Sequence, residues 1–206
     1  LYTQGMIRYL QGDYAQAEAL FQKGTRDLKS RIRLLYIYYQ TGQYSKAREL
    51  FDDEQLKSLS KNDMALLTLM NSFGSAQPYK PDWKSDKAVL PFISMNNLPV
   101  VSVSVNGQPV NVFIDTGADL FVIKSEMAKT LGLKSQASLT GTYAGGKTAE
   151  THYSRLQTLG LGDVTLHDVP VDIADFPESW AFTDEKTGKR IDIDGILSTG
   201  DRKSTR

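Results

Sequence analysis

Two apolar runs separated by a short polar loop place the strongest constraint on how this chain folds. Val112-Phe113-Ile114 leads into Asp115-Thr116-Gly117-Ala118-Asp119, and Leu120-Phe121-Val122-Ile123 follows at once. Such short, branched and aromatic runs read as buried strands, so the loop is clamped between two core segments. A carboxylate at the end of a buried strand is costly unless something there requires it. Gly117 lets the backbone turn and exposes amides near Asp115, while Thr116 can bond backbone across the turn. The pattern suits a carboxylate whose position must be fixed. Taken alone, Asp-Thr-Gly is weak, since the same triplet is commonly a surface turn.

The flanking sequence narrows the choice. Pro99 to Val105 alternates apolar and polar, Asn106-Gly107 is a hairpin turn, and residues 109–114 form the return strand. A helix is expected over 125–131 with Ser125 as its N-cap. A polar hairpin carries Gly141-Thr142-Tyr143-Ala144-Gly145-Gly146-Lys147, and a second one joins 154–161 to 164–171 around Gly162-Asp163. Asp194-Gly195-Ile196-Leu197 comes last.

Before residue 72 the period is helical. Gly12-Asp13-Tyr14 with Ala17 and Phe21 recurs thirty residues later as Gly42-Gln43-Tyr44 with Ala47 and Phe51. Helices are expected over 3–11, 14–30, 31–41, 44–53 and 61–71. Gly74, Pro78 and Pro81 then break the period. The expected organisation is a helical repeat domain over 1–76, a linker over 77–87 and a mostly β domain over 88–200. Residues 201–206, Asp201 to Arg206, match one reading frame of a common short-read sequencing adapter and are expected to be an adapter-derived tail. The chain opens on Leu1, so a longer parent is expected.

Composition excludes several classes. Lys+Arg and Asp+Glu both number 24, so no single-signed field points to nucleic acid. No apolar run is long enough to span a membrane. Cysteine is absent, which removes thiol catalysis, disulfides and thiolate metal sites. His152 and His167 read as ordinary strand residues. Asp172, Asp175, Asp192 and Asp194 read as solvated acidic loops rather than a metal cluster, so no metal or cofactor is expected. Tyr36, Tyr38 and Tyr39 either line a peptide-binding face or pack between helices. Residues 176–190, with Trp180 and Phe182, read as an inserted loop.

The Gly-x-Tyr, Ala and Phe pattern resembles tetratricopeptide repeats, although their usual period is about 34 residues. Ala88 to Leu197 resembles the retropepsin-like aspartic proteases, in particular a bacterial branch that follows such repeats. The expected fold is therefore α+β with two domains, a tetratricopeptide-like repeat and a retropepsin-like domain truncated at its C-terminus. The resemblance implies that Asp115 is catalytic, with Thr116 locking two active-site loops of a dimer together and Gly117, Ala118 and Asp119 supporting them. It implies a flap over substrate formed by Tyr143, Ala144, Gly145, Gly146 and Lys147. It also implies that Gly195, Ile196 and Leu197 pack beside the catalytic loop. Ser198 departs from the family's glycine.

Amide hydrolysis by this route needs one carboxylate to take a proton from water and one carboxylic acid to donate to the carbonyl oxygen. Two Asp side chains about 3 Å apart can share the proton that lets them do both. With one Asp-Thr-Gly in the chain, the second must come from a symmetric partner. The expectation is an aspartic endopeptidase acting on polypeptides as a homodimer, with a protein partner for the repeats and a periplasmic or secreted bacterial location. Phe113, Leu120 and Val122 either favour apolar substrates or belong to the core. The other reading is a non-catalytic repeat scaffold whose β-domain serves only for dimerisation.

Overall fold

The computed structural model describes residues 1–24, 26–94, 98–118, 120–142, 148–175, 181–183 and 187–198, with the side chains of Thr142 and Phe182 excepted. The flap expected over 143–147, the supporting Asp119, Trp180 and the tail over 201–206 lie outside the described residues. The chain divides into two compact units, the second beginning at Pro78.

In the first unit the helices are α1 (Tyr2–Leu10), α2 (Tyr14–Gln22), α3 (Leu28–Gln40), α4 (Asp53–Lys57) and α5 (Lys61–Ser72), with a 3-10 turn over Tyr44–Ala47. Gly12 and Gly42, at φ +75° and +69°, end the helices before the two matching Tyr positions. Ala17, Phe21 and Ala47 are fully buried, and Tyr44 stacks on Tyr39 and meets the edge of Phe73. The helix expected over 14–30 is two helices. Asp27 accepts a hydrogen bond from the Lys29 amide and starts α3 afresh, so α2 stops at Gln22. The helix expected over 44–53 is corrected to a single 3-10 turn. The Leu50 carbonyl faces the Arg31 guanidinium, and Asp52 and Gln55 form a capping box that opens α4 instead. Tyr38 is buried and the Tyr36 hydroxyl donates to Asp63 at 3.0 Å, so these two tyrosines pack between helices.

The second unit is mostly β. Its strands are β1 (Lys80–Trp83), β2 (Phe92–Ser94), β3 (Val100–Val105), β4 (Gln108–Asp115), β5 (Phe121–Lys124), β6 (Ala137–Thr142), β7 (Thr148–Leu161), β8 (Val164–Ala174), β9 (Ala181–Thr183), β10 (Arg190–Asp192) and β11 (Gly195–Ser198). A short helix, α6 (Ser125–Thr130), follows β5. Ser125 is the first helical residue, not the N-cap. Lys124 holds that place because its amide still donates to the Asp194 carbonyl at 2.8 Å, which keeps it in the strand. Residues 176–190 are not wholly a loop, since β9 pairs with β10 as a small antiparallel ribbon.

Six strands close on themselves in the order β8-β5-β11-β4-β3-β7, with β7 pairing back onto β8. Closure removes the free edges that an open sheet would leave. The inside is filled by alternating residues: Val101, Val103 and Val105 from β3, Val110 and Val112 from β4, Phe121 and Ile123 from β5, and Leu197 from β11. Strands β7 and β8 complete it with Leu156, Leu159, Leu166, Val169, Val171 and Ile173. Asn106 and Gly107, at φ +48° and +85°, make the two-residue turn between β3 and β4.

The opposite face of the same strands is also covered in part. Val100, Phe113, Val122, Ala174, Ile193 and Ile196 form a second, smaller cluster there, against which Ile93 and Ala118 pack. Pleating puts Asp115 on this outer face, two residues beyond Phe113 on β4.

Candidate active site

Asp115 is the last residue of β4, and its position follows from how β11 is threaded. β4 and β5 leave the Asp-Thr-Gly loop on either side, yet they do not pair with each other. β11 lies between them, parallel to β4 and antiparallel to β5. Gly195 pairs with Val112 and Ile123, and Ser198 pairs with Asp115. Gly195, Ile196 and Leu197 thus form the floor beneath the loop.

Gly195 is required by close approach. A Cβ there would sit 2.6 Å from the Val122 carbonyl oxygen and 3.1 Å from Val112 Cγ1. Asp194, just before it, fastens both neighbours through main-chain bonds. Its amide donates to the Asn111 carbonyl at 2.8 Å, and its carbonyl accepts from the Lys124 amide at 2.8 Å.

Above this floor the Asp115 carboxylate is partly buried, while Thr116 and Gly117 are exposed. The Gly117 amide donates to Asp115 Oδ1 at 2.8 Å. That bond closes an Asx-type turn in which the loop's own backbone holds the carboxylate. A Cβ on Gly117 would lie 3.3 Å from the same oxygen, so a larger residue there would press the carboxylate aside by a few tenths of an ångström. Ala118 packs its methyl onto the outer cluster and anchors the far side of the turn. Phe113 and Val122 are buried in that cluster beside Ile196, which assigns both to packing next to the carboxylate. Leu120 is buried as well.

Ser198 is 5% exposed, and its hydroxyl has no hydrogen-bond partner among the described residues. Orphaned buried hydroxyls are uncommon, and this one is the sheet neighbour of Asp115.

Asp194 is the other carboxylate next to β11, and the register separates it from Asp115. Gly195 is level with Val112, so Asp194 lies about four residues back along the strand, roughly 13 Å. Burial raises the pKa of its carboxyl above the ordinary value, while the Asn111 backbone contact and Lys124 pull it down. The separation rules out proton sharing with Asp115 inside one chain.

Asp172, expected in a solvated acidic loop, lies instead within β8. Val122 pairs with it on one side and Tyr153 on the other, on the outer face that carries Asp115. Burial pushes its carboxyl from 3.8 to about 6, against the smaller effects of the Thr151 hydroxyl and the Ile173 amide. Sequence alone had no signal for this, because the face of Asp172 is set by pairing with distant strands. His152 bonds Ser138 at 2.9 Å and His167 sits in β8. Among the described residues no group of three or more His, Cys, Asp or Glu could hold a metal ion.

Residues 101–199 match the family model described as aspartyl protease, a span that runs from β3 through β11. Two curated relatives, the DNA damage-inducible protein 1 of two serotype D strains of Cryptococcus neoformans var. neoformans, are each 24% identical over 122 residues. That alignment takes in 56% of this chain and 26% of theirs, so the chain spans about a quarter of the length of these relatives. Among solved structures, a retropepsin-like aspartic protease from Rickettsia conorii aligns at 14% identity and TM-score 0.40, over 59% of this chain and 80% of that one. The EIAV protease in complex with an inhibitor aligns at 22% identity and TM-score 0.35, over 52% and 88%.

Proposed function

We propose that the β unit is the peptidase half of an aspartic endopeptidase, and that Asp115 supplies one of its two catalytic carboxylates. The observation that carries this reading is Asp115 at the end of a core strand, held by the Gly117 amide over the β11 floor, inside the span that matches aspartyl proteases. The chemistry needs a second carboxylate about 3 Å away, so that one is ionised and the other protonated. Asp194 is too far along the strand to be that group. A second copy of the chain, placing its own Asp115 opposite the first, supplies it under twofold symmetry. The exposure of Thr116 and Gly117 supports a loop that meets another copy.

In the assembled site the ionised carboxylate takes a proton from a water molecule, and the water oxygen attacks the peptide carbonyl carbon. The protonated carboxyl gives its proton to the carbonyl oxygen. The carboxyl that took the proton from water passes it to the nitrogen, one hydroxyl proton of the tetrahedral species returns to the other carboxylate as the C–N bond breaks, and the neutral amine leaves with the dyad again holding one proton. The hairpin residues Tyr143, Ala144, Gly145, Gly146 and Lys147 serve as the flap over the bound peptide, with Asp119 supporting the loop. Residues 1–76 serve as a tetratricopeptide-like module that binds a protein partner.

Asp115→Asn in the full chain tests the reading. It keeps the side-chain oxygen that the Gly117 amide needs and removes the acid–base chemistry. Cleavage of a casein-derived peptide mixture at acidic pH should drop by at least about a thousandfold. Equal cleavage by the variant would overturn the assignment, and dimerisation of both forms with no cleavage by either would favour the scaffold reading.

A further inference from the structure

Ser198 ends β11 with a polar atom that packing does not explain. Side chains alternate along a strand, so Leu197 enters the barrel core while Ile196 and Ser198 turn to the outer face. The parallel register sets Ile196 beside Phe113 and Ser198 beside Asp115. Paired residues of neighbouring strands send their side chains to the same face, so the Ser198 hydroxyl and the Asp115 carboxylate stand side by side. Their surroundings are apolar. Phe113 and Ile196 are buried one step back along the two strands, and Ala118 packs against the same cluster from the loop.

The hydroxyl oxygen is shut off from solvent and makes no hydrogen bond among the described residues. A donor buried in that way destabilises a fold, and a strand gains nothing from it. Glycine, which the retropepsin-like resemblance puts at this place, would bury no such group. The carboxylate alongside has acceptor capacity to spare. The Gly117 amide occupies one site on Oδ1, and an ionised carboxylate offers about four. Neighbouring strands lie about 4.8 Å apart. A serine and an aspartate side chain close that gap to hydrogen-bond distance once the serine turns about its Cα–Cβ bond into another staggered rotamer.

We propose that Ser198 is a positioning residue for Asp115: its hydroxyl donates to the carboxylate and, together with the Gly117 amide, fixes the plane of that group. A carboxylate held by one donor still swivels about its Cβ–Cγ bond, because that torsion is broad. A second donor from the neighbouring strand removes the swivel, and a hydroxyl bonded to an ionised carboxylate is among the stronger neutral-to-charged contacts. The bond is open in the single chain and closes in the assembled dyad, where one rotation of Ser198 satisfies the buried oxygen. What it supplies is orientation. A misplacement of about 1 Å in a reacting group can cost about a hundredfold in rate. Ser198 is buried and touches no substrate, so its effect passes through Asp115 and falls on kcat rather than KM. This role rests on the reading of Asp115 as one of two catalytic carboxylates.

Three variants of the full chain test it. Ser198→Ala and Ser198→Val remove the hydroxyl, while Ser198→Thr keeps it in the shape of the valine variant. Peptide cleavage by Ser198→Ala should show kcat about tenfold lower with KM unchanged, and Ser198→Thr should exceed Ser198→Val in kcat by a similar factor. Comparing threonine with valine cancels what the added bulk does to folding. Equal kcat in that pair, or a change confined to KM, would overturn the role. A second readout needs no activity. In chain labelled with carbon-13 at the aspartate carboxyls, the Asp115 resonance is identified by its loss in Asp115→Asn, and it reports folded molecules only. Its position should differ between Ser198→Thr and Ser198→Val and should lie nearer wild type in the first. A resonance equal in the two would sink the role of Ser198 alone. Cleavage by Asp115→Asn as fast as wild type would sink the peptidase reading and leave the resonance to judge whether Ser198 holds Asp115.

Discussion

Asp115 and Asp172 share one face of one sheet and meet different surroundings. Asp115 has a backbone amide placed for it by the loop it begins. Asp172 is half-buried within β8, and burial pushes its carboxyl to about 6 against the smaller opposing effects of the Thr151 hydroxyl and the Ile173 amide. The first was legible in sequence because the turn chemistry is local: Asp, Thr and Gly in succession between two apolar runs. The second was not, because β8 is recognisable as a strand while its outward residues are fixed only by pairing with β5 and β7. The raised Asp172 pKa has a consequence for stability. The folded domain holds this proton to higher pH than the unfolded chain does, so the stabilisation is full below about pH 4 and is lost as pH rises through about 6. Removing the titration by Asp172→Asn should therefore help progressively as pH increases. Urea unfolding of both proteins should show the variant gaining on wild type by up to roughly 3 kcal/mol between pH 4 and pH 7. A difference that stays flat over that interval would contradict the assignment. Burial shifts Asp194 in the same direction, so wild type and variant both keep the slope it contributes.

The strands that frame the site show where reading elements from sequence succeeds and where it stops. β4, β5 and the β3–β4 hairpin are visible in apolar alternation and in Asn106-Gly107, since pleat and turn type follow from neighbouring residues. Strand β11, which carries Gly195-Ile196-Leu197, runs between β4 and β5, a placement that only long-range pairing sets. The helical unit was less legible. Its breaks depend on Asp27 and Asp52 as caps and on the Arg31 contact to the Leu50 carbonyl, which hydrophobic period does not report. Gly195 is the point at which this element is most easily broken. Gly195→Val forces a branched side chain into the space held by the Val122 carbonyl and the Val112 methyl. It should destabilise the chain by roughly 2 kcal/mol or more, read as a lower denaturant midpoint. An unchanged midpoint would mean that β11 does not run between the other two strands.

The closed barrel places Asp115 on its outside, so the Asp-Thr-Gly loop faces whatever meets that surface rather than a cavity within the unit. A site of this kind is complete only with a second carboxylate, and the nearest one along β11 is too distant to serve. The central claim is therefore that two copies of Asp115, from two chains, make one active site. Mixing wild-type chain with Asp115→Asn at constant total concentration, allowing exchange, and measuring peptide cleavage tests this most directly. If both chains must supply an intact carboxylate, activity follows the square of the wild-type fraction, and an equal mixture retains about one quarter. Activity in linear proportion, with about half retained in the equal mixture, would contradict the account, because each chain would then be working alone.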